Sequence, residues 1–439
     1  MNVLQFMNRG GAAYVIISRL GVMAVGLGVA LLAPAMLTAV EQGYFFTFLS
    51  LAALQGIFEL GINTLMIQHF AHIKGQLCAT GATLPEVLLR TAGQIKEFSQ
   101  RYFRRAAVLF VLLVGTGGAL FFLNAQGLAS LPQWGGPWVV LLLGVALSLL
   151  NVTRFAIAEG FGLIKECYLI RFHVVLVMFA CFCAALFLFD GLYAHPLALL
   201  VSQLYGRRRV AAVLERLPSF AVDAHTTGTF DFADLKKTQR KFAVSAIAGF
   251  FTANSITPYV FHFFGPVVAG QVGLTVSVFY AAASLAMAFS TADAPRYGQW
   301  ISQGKNVAVY SAWKRNVVFS LAAAGSMSLM LLGANYLLEQ LWPQYSHRVM
   351  NLQAFAFLSL LIVVNTSVTT VSTVLRSFRT EDLMWPSLWG AVVSFVLQFG
   401  VHLPPSQYFL GMAAYNGLLF LPFAYVLMRQ KIGVLSPDR

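Results

Sequence analysis

Acidic side chains are scarce in this chain: 16 Asp and Glu stand against 29 Lys and Arg in 439 residues, and charged residues of either sign make up only 10%. So few carboxylates, most of them in loops, leave little from which to build a catalytic acid/base centre. No Ser-His-Asp, His-Glu-x-x-His or paired-carboxylate arrangement stands out. Of four cysteines, Cys181 and Cys183 fall inside an apolar run and Cys78 and Cys167 in stretches assigned to the cytoplasm, where disulfides are rare, so all four read as packing residues. His195, His262 and His402 are scattered without metal-ligand spacing. A phosphate loop is missing too: five residues separate Gly298 from Gly304, and Asn306 stands where Mg²⁺ needs a hydroxyl. The N-terminus shows no cleavable signal, because its first apolar run continues to Ala35.

What the chain has in excess is apolar surface, 58% of residues with a mean hydropathy of +0.73, more than a soluble core of this size can use. The apolar runs are long and uninterrupted rather than alternating, which fits membrane helices and not a β-barrel. The expected fold is all-α and integral to the membrane. Spans are expected near residues 12–37, 43–70, 106–124, 136–158, 169–189, 191–206, 241–264, 266–291, 316–338, 349–374, 383–402 and 406–428, twelve in all. All the Lys and Arg except Arg19 and Arg348 fall in alternate loops and at the two ends, which places both termini on the cytoplasmic side. This clustering, rather than nucleic-acid binding, explains the net charge of +13. The basic stretch 207–240 divides the chain into a six-helix bundle over 1–206 and a second over 241–439, two halves expected to flank a central cavity. Outer connections are too short to fold a domain. Thr83-Leu84-Pro85-Glu86 reads as a capping box opening either an interfacial amphipathic helix or a solvated basic connector.

Polar residues inside the spans are the candidate site. Gln55, Glu59 and Asn63 recur every fourth residue in the second span and so share one helix face, which cannot face lipid. Arg19 lies at a comparable depth in the first span; it either pairs with Glu59 or presents charge to an anionic substrate. Arg154, one turn after Asn151, either snorkels to the headgroups or offers its planar fork to phosphate oxygens. The seventh span carries Thr252, Asn254, Ser255 and Thr257 around Pro258, the mark of a hinge beside a polar cavity or of a simply kinked helix. In the tenth, Asn365 heads a run of Ser and Thr that either lines a cavity or knits helices together.

Four segments carry a family resemblance. Glu41-Gln42-Gly43-Tyr44 with Phe58-Glu59-Leu60-Gly61, Glu159-Gly160-Phe161-Gly162, and Ala269-Gly270-Gln271-Val272-Gly273 resemble the second span, the turn after the fourth and the start of the eighth in Wzx-type polysaccharide flippases of the multidrug/oligosaccharidyl-lipid/polysaccharide (MOP) exporter superfamily. Leu375-Arg376-Ser377-Phe378-Arg379 is similar to the basic loop after the tenth, departing from it at Ser377-Phe378.

The resemblance implies an inner-membrane flippase, not an enzyme. It would carry a polyprenyl-diphosphate-linked oligosaccharide from the cytoplasmic to the periplasmic leaflet by alternating access, for O-antigen, capsule or exopolysaccharide synthesis. Arg19 and Arg154 would then make the lumen cationic. Implied partners are the lipid-linked glycan, membrane lipids, and a polysaccharide polymerase with its chain-length proteins; no cofactor is implied, and energy would come from an H⁺ or Na⁺ gradient, the membrane potential or substrate flux. The alternatives are a multidrug exporter of the same superfamily and, further off, a membrane enzyme such as a polysaccharide polymerase. On this reading Arg19→Ala and Glu59→Ala each impair export while the protein still inserts. Surface polysaccharide assayed alongside membrane content checks this, and normal export by both variants leaves only a structural ion pair.

Overall fold

A computed structural model describes residues 12–59, 62–79, 86–217, 244, 247–378 and 382–433. The chain forms two compact units, Met1–Ala246 and Ile247–Arg439. In the first, α1 is Ala12–Met36, α2 Ala39–Ala52, α3 Gln55–Glu59, α4 Ile62–Ala79, α5 Glu86–Gln126, α6 Leu131–Gly160, α7 Ile164–Leu188 and α8 Ala194–Leu214. In the second, α9 is Ile256–Phe264, α10 Pro266–Ala286, α11 Ala288–Ser302, α12 Asn306–Leu341, α13 Leu352–Ser377, α14 Met384–Phe395, α15 Pro405–Tyr415 and α16 Leu421–Ile432. Among the described residues seven helices are individually long and apolar enough to cross a membrane. Outside those seven, α1 and α8 are continuous helices, and three further passes are broken by a turn or a π segment: α2 to α4, the helix over 247–253 with α9, and α14 with the π segment after it, which brings the described residues to twelve passes.

Each unit is built around one helix buried more than its neighbours. In the apolar window of α6, 50% of residues are buried, and α5, α4 and α8 pack on it; α13, at 56%, takes α12, α15 and α16. Lipid tails give no hydrophobic drive for helices to associate, so close packing must do it. In the first unit Tyr44, Phe48, Phe122, Trp134 and Trp138 interlock, with Phe122 and Trp134 ring centres 5.2 Å apart and Phe48 and Trp138 5.3 Å apart. Trp138 donates its indole N–H to the Gly115 carbonyl at 3.2 Å, and a Cβ on Gly118 would stand 2.3 Å from its ring.

The glycines of Glu159-Gly160-Phe161-Gly162 do two different things. A Cβ on Gly160 would fall 2.4 Å from Phe70 Cβ and 2.9 Å from the Ile67 carbonyl oxygen, so its absence lets α4 and α6 cross in contact. Gly162, with φ +78°, takes the left-handed position that ends α6, where the Leu163 N–H reaches back to the Ala158 carbonyl at 2.9 Å.

The structure corrects several expectations. The second span is not one unbroken helix: the chain turns at Ala53-Leu54, before Gln55 and Glu59 of α3. Asn63 lies in α4, and residues 60–61 between the two lie outside the described residues. The stretch expected as a separate surface helix is continuous with the third span as the 41-residue α5, roughly 60 Å long at 1.5 Å per residue and about twice the hydrocarbon thickness. Its Ala92 and Ile95 are buried in protein, and Ser99 lies 2.8 Å from Thr153 of α6, so this face meets α6 rather than the leaflet. Residues 80–85, with most of the expected capping box, lie outside the described residues. A complete capping box occurs instead at Thr38 and Glu41, where the Thr38 N–H reaches Glu41 Oε2 at 2.8 Å and the Glu41 N–H reaches Thr38 Oγ1 at 3.2 Å. Arg207, Arg208 and Arg209 lie on α8, not in a loop, and α11 carries the eighth pass on to Ser302 with Gly298 inside it. Cys167, Cys181 and Cys183 are free thiols.

We expect Gly160→Ala to destabilise the purified protein by about 1–3 kcal/mol through overpacking, with a lower thermal midpoint in detergent, and Gly117→Ala, where a Cβ meets nothing within 4 Å, to leave it unchanged.

Candidate functional site

In the first unit the polar residues gather on α3, α6, α7 and α8. Tyr102 of α5 donates its hydroxyl to the Phe58 carbonyl of α3 at 2.9 Å. Gln55 accepts from Ser148 Oγ of α6 at 3.0 Å. Glu59 is half-buried, and its electrostatic partner is Arg171 of α7. That arginine, counted with the basic loops by sequence, pairs with Glu159 and lies over the rings of Phe155 and Tyr168 at 5.1 and 5.5 Å. Arg171 thus makes one direct ion pair, to Glu159, and acts on Glu59 through its charge. The side chain of Arg19, the expected partner of Glu59, lies outside the described residues, although its backbone is part of α1. Asn63 has a buried Oδ1 without a hydrogen-bond partner among the described residues.

Asn151 and Arg154 are committed to α8. The Asn151 amide donates to the carbonyl and side-chain oxygens of Gln203 at 3.0 and 3.2 Å, and Arg154 Nη1 reaches the Arg207 carbonyl at 3.4 Å. Arg154 is half-buried and neither snorkels free nor presents its whole fork.

The second unit holds a cavity of 310 Å³ between α10, α13, α14 and α15 and the helix before α9. Its polar lining is neutral: Thr252, Asn365, Thr366, Ser387, Tyr415 and Asn416. Asn365 accepts from Asn416 Nδ2 at 2.7 Å, and Tyr415 donates to the Pro386 carbonyl at 2.7 Å. Asn416 opens a π segment, Asn416–Phe420, an irregular turn of the kind that recurs at functional sites. Asn365 was legible as an amide inside a span; Asn416 carries the same signal in Ala414-Tyr415-Asn416-Gly417, and sequence reading missed it.

Asn254 lies in a helix break rather than on the cavity wall. Residues 247–253 are helical, the chain turns at Asn254-Ser255, and α9 begins at Ile256, so Pro258 sits in the first turn of the new helix, where no intrahelical N–H is needed. The break precedes the proline expected as the hinge. The break is met from the end of α14 and the π segment Val396–Gly400 after it: Ser394 of α14 donates to the Phe251 carbonyl at 3.1 Å, and Gln398 of the π segment donates to Ser255 Oγ at 2.8 Å and Ser394 Oγ at 3.1 Å. Tyr408 stands 2.9 Å from Ser394 Oγ, which closes the network.

A further cluster, missed by sequence because the expected eighth span stopped short of it, surrounds Asp293. Its side chain is 9% exposed and accepts from Arg296 and Arg315, each at 2.9 Å, and from Asn316 at 3.0 Å. Asn316 also reaches the Tyr297 hydroxyl at 2.7 Å. With every oxygen engaged, this carboxylate clamps α11 to α12.

No family model matches the chain, and no curated protein matches it in sequence. Solved structures match it nearly end to end. A multidrug-resistance MATE family transporter of the MOP superfamily, in an inward-facing conformation, superposes with a TM-score of 0.53 at 13% identity over 94% of this chain and 98% of that one. A MOP superfamily transporter from Pyrococcus furiosus, described as having a binding pocket of reverse polarity that suggests a different function, gives 0.55 at 13% over 98% of each chain. A MATE transporter of Vibrio cholerae gives 0.58 at 11% over 96% and 95%. The chain is a multi-pass, all-helical integral membrane protein. Its fold is the twelve-helix, MATE-like fold of MOP superfamily transporters.

Asp293→Ala should lower stability by about 1–3 kcal/mol, the cost of losing hydrogen bonds to a charged group. Denaturation of the detergent-purified protein checks this, with Asp293→Asn expected to retain part of the clamp.

Proposed function

We propose that this chain is a flippase that moves a polyprenyl-diphosphate-linked oligosaccharide from the cytoplasmic to the periplasmic leaflet of a bacterial inner membrane, both termini lying in the cytoplasm. The observation that carries this reading is the chemistry of the second unit's cavity: amides and hydroxyls line it and, among the described residues, no carboxylate does. A pocket for organic cations needs negative charge, whereas sugars are held by neutral donors and acceptors around a few apolar contacts. Asn365, Asn416, Thr252, Thr366 and Ser387 supply that lining. Arg19 and Arg154 are the candidates for the diphosphate. The half-buried Arg154 keeps N–H groups beyond its one bond to Arg207. The Pyrococcus furiosus neighbour, whose reversed pocket polarity is described as suggesting a different function, lends weight, since pocket charge is there taken to bear on function within this fold. Polysaccharide polymerases and chain-length proteins are the partners the reading assigns.

A second reading, a multidrug exporter, draws on Glu159, paired with Arg171 in the first unit, on Glu59 within the influence of the same arginine, and on the multidrug transporters among its structural neighbours. Glu59 and Glu159 would then serve cation exchange.

Deleting the gene and profiling membrane lipids by mass spectrometry separates the two. A completed polyprenyl-diphosphate repeat unit should accumulate and disappear when the gene is restored. Normal polymer with no trapped precursor rules the flippase out in favour of the exporter, and an incomplete unit points to an enzyme.

A further inference from the structure

A second concavity, of 420 Å³, opens at one end of the second unit. It lies where α10, α13 and α15 begin and α12 ends. Arg296, Lys305, Arg315 and Arg376 belong to the other ends of these passes, so the crevice faces away from the basic loops. Its polar lining is Gln271, Glu339, Ser346, His347, Asn351 and Ser406, with apolar surface from Val268, Met350 and Pro405.

Several of these groups are held in place from behind. Gln271 Nε2 donates to the His347 carbonyl at 2.9 Å, which leaves its side-chain oxygen toward a ligand's hydroxyl. Asn351 Oδ1 caps α13 by accepting the Ala354 N–H at 3.0 Å, so its amide N–H groups remain as donors. Asn335, one turn back on α12 and 3% exposed, lies 3.4 Å from Glu339 Oε1 and steadies that carboxylate, whose second oxygen carries no bond among the described residues. The Met350 N–H is fixed on Thr275 Oγ1 at 3.2 Å. Trp342 and Tyr345, in the chain between Glu339 and Ser346, are 52% and 48% exposed.

One carboxylate, two amides and hydroxyls around apolar patches, beside exposed aromatic rings, form the set that binds a pyranose: vicinal hydroxyls pair with carboxylate and amide, and the ring's apolar face meets the side chains. The volume lies within the roughly 300–1,000 Å³ range of small-molecule sites. We infer that this crevice is a carbohydrate subsite that receives a sugar residue of the transported glycan on the exit side of the second unit. The identity of the ligand rests on the flippase reading. Glu339 and Gln271 are its hydrogen-bonding centre, and the single carboxylate favours neutral or amino sugars over acidic ones.

Saturation-transfer difference NMR on the full-length protein in nanodiscs tests this, with methyl glycosides of glucose, galactose, mannose, rhamnose and N-acetylglucosamine as probes. At least one glycoside should receive saturation, and Glu339→Ala should weaken its apparent affinity about tenfold, as expected for losing a charge-assisted hydrogen bond. Ser406→Ala removes a hydroxyl at the rim of the crevice. It should weaken binding less, and serves as the probe variant if Glu339→Ala fails to fold. Gly117→Ala, in the first unit and in the lining of neither cavity, should leave the signal intact. No transfer to any glycoside, or transfer undiminished in both crevice variants, overturns the subsite while leaving the flippase reading to the lipid profile. Transfer lost in the variants without any precursor accumulating in deleted cells supports the subsite and removes the flippase.

Discussion

A backbone carbonyl or N–H that loses its helical partner inside a bilayer has no water to turn to, and the irregular parts of this chain are arranged around that constraint. In the short helix α3, Tyr102 supplies a hydroxyl to the Phe58 carbonyl. Where the helix breaks before α9, Ser394 serves the Phe251 carbonyl, with Gln398 and Tyr408 holding Ser394 in place. Single hydroxyls and amides from neighbouring helices stand in for the missing turns, and each break is therefore also a point where helices are cross-linked.

The same constraint divides the two units by charge. In the first, the Arg171–Glu159 pair and a second arginine bound to a helix carbonyl put ionised groups on α6 and α7. Charges so placed are costly unless paired, and the Arg171 contacts with Glu159, Phe155 and Tyr168 lower that cost. In the second, Asp293 and its arginines sit at the basic end, and the cavity is lined by amides and hydroxyls.

Sequence made the fold class and most span positions legible, because long apolar runs and clustered Lys and Arg report on partition into lipid directly. Asn365 was legible for the same reason: an amide in a span needs a partner, and Asn416 supplies one. Breaks were less so. Ala53-Leu54 carries neither proline nor a polar cluster, so nothing in its residue types marks the turn. Pro258 was read as the hinge because proline disfavours helix interiors, yet proline is equally at home in a first turn, and it occupies one. Arg171 was read as a loop residue because positive charge near a span end usually is; only its distant partner, Glu159, marks it as internal. Asp293 was hidden because its three partners are supplied from two helices.

The π segment Asn416–Phe420 has a consequence for how the last pass keeps its footing. Met412 before it and Ala424 after it are both buried, twelve positions apart. On an uninterrupted α-helix that separation turns them about 120° away from each other, whereas eleven positions leave only about 20°. The bulge absorbs the surplus residue and restores the phase. A chain under selection can in this way gain one amino acid in the middle of a membrane pass and still show the same stripe to its neighbours, so length and orientation become separately adjustable.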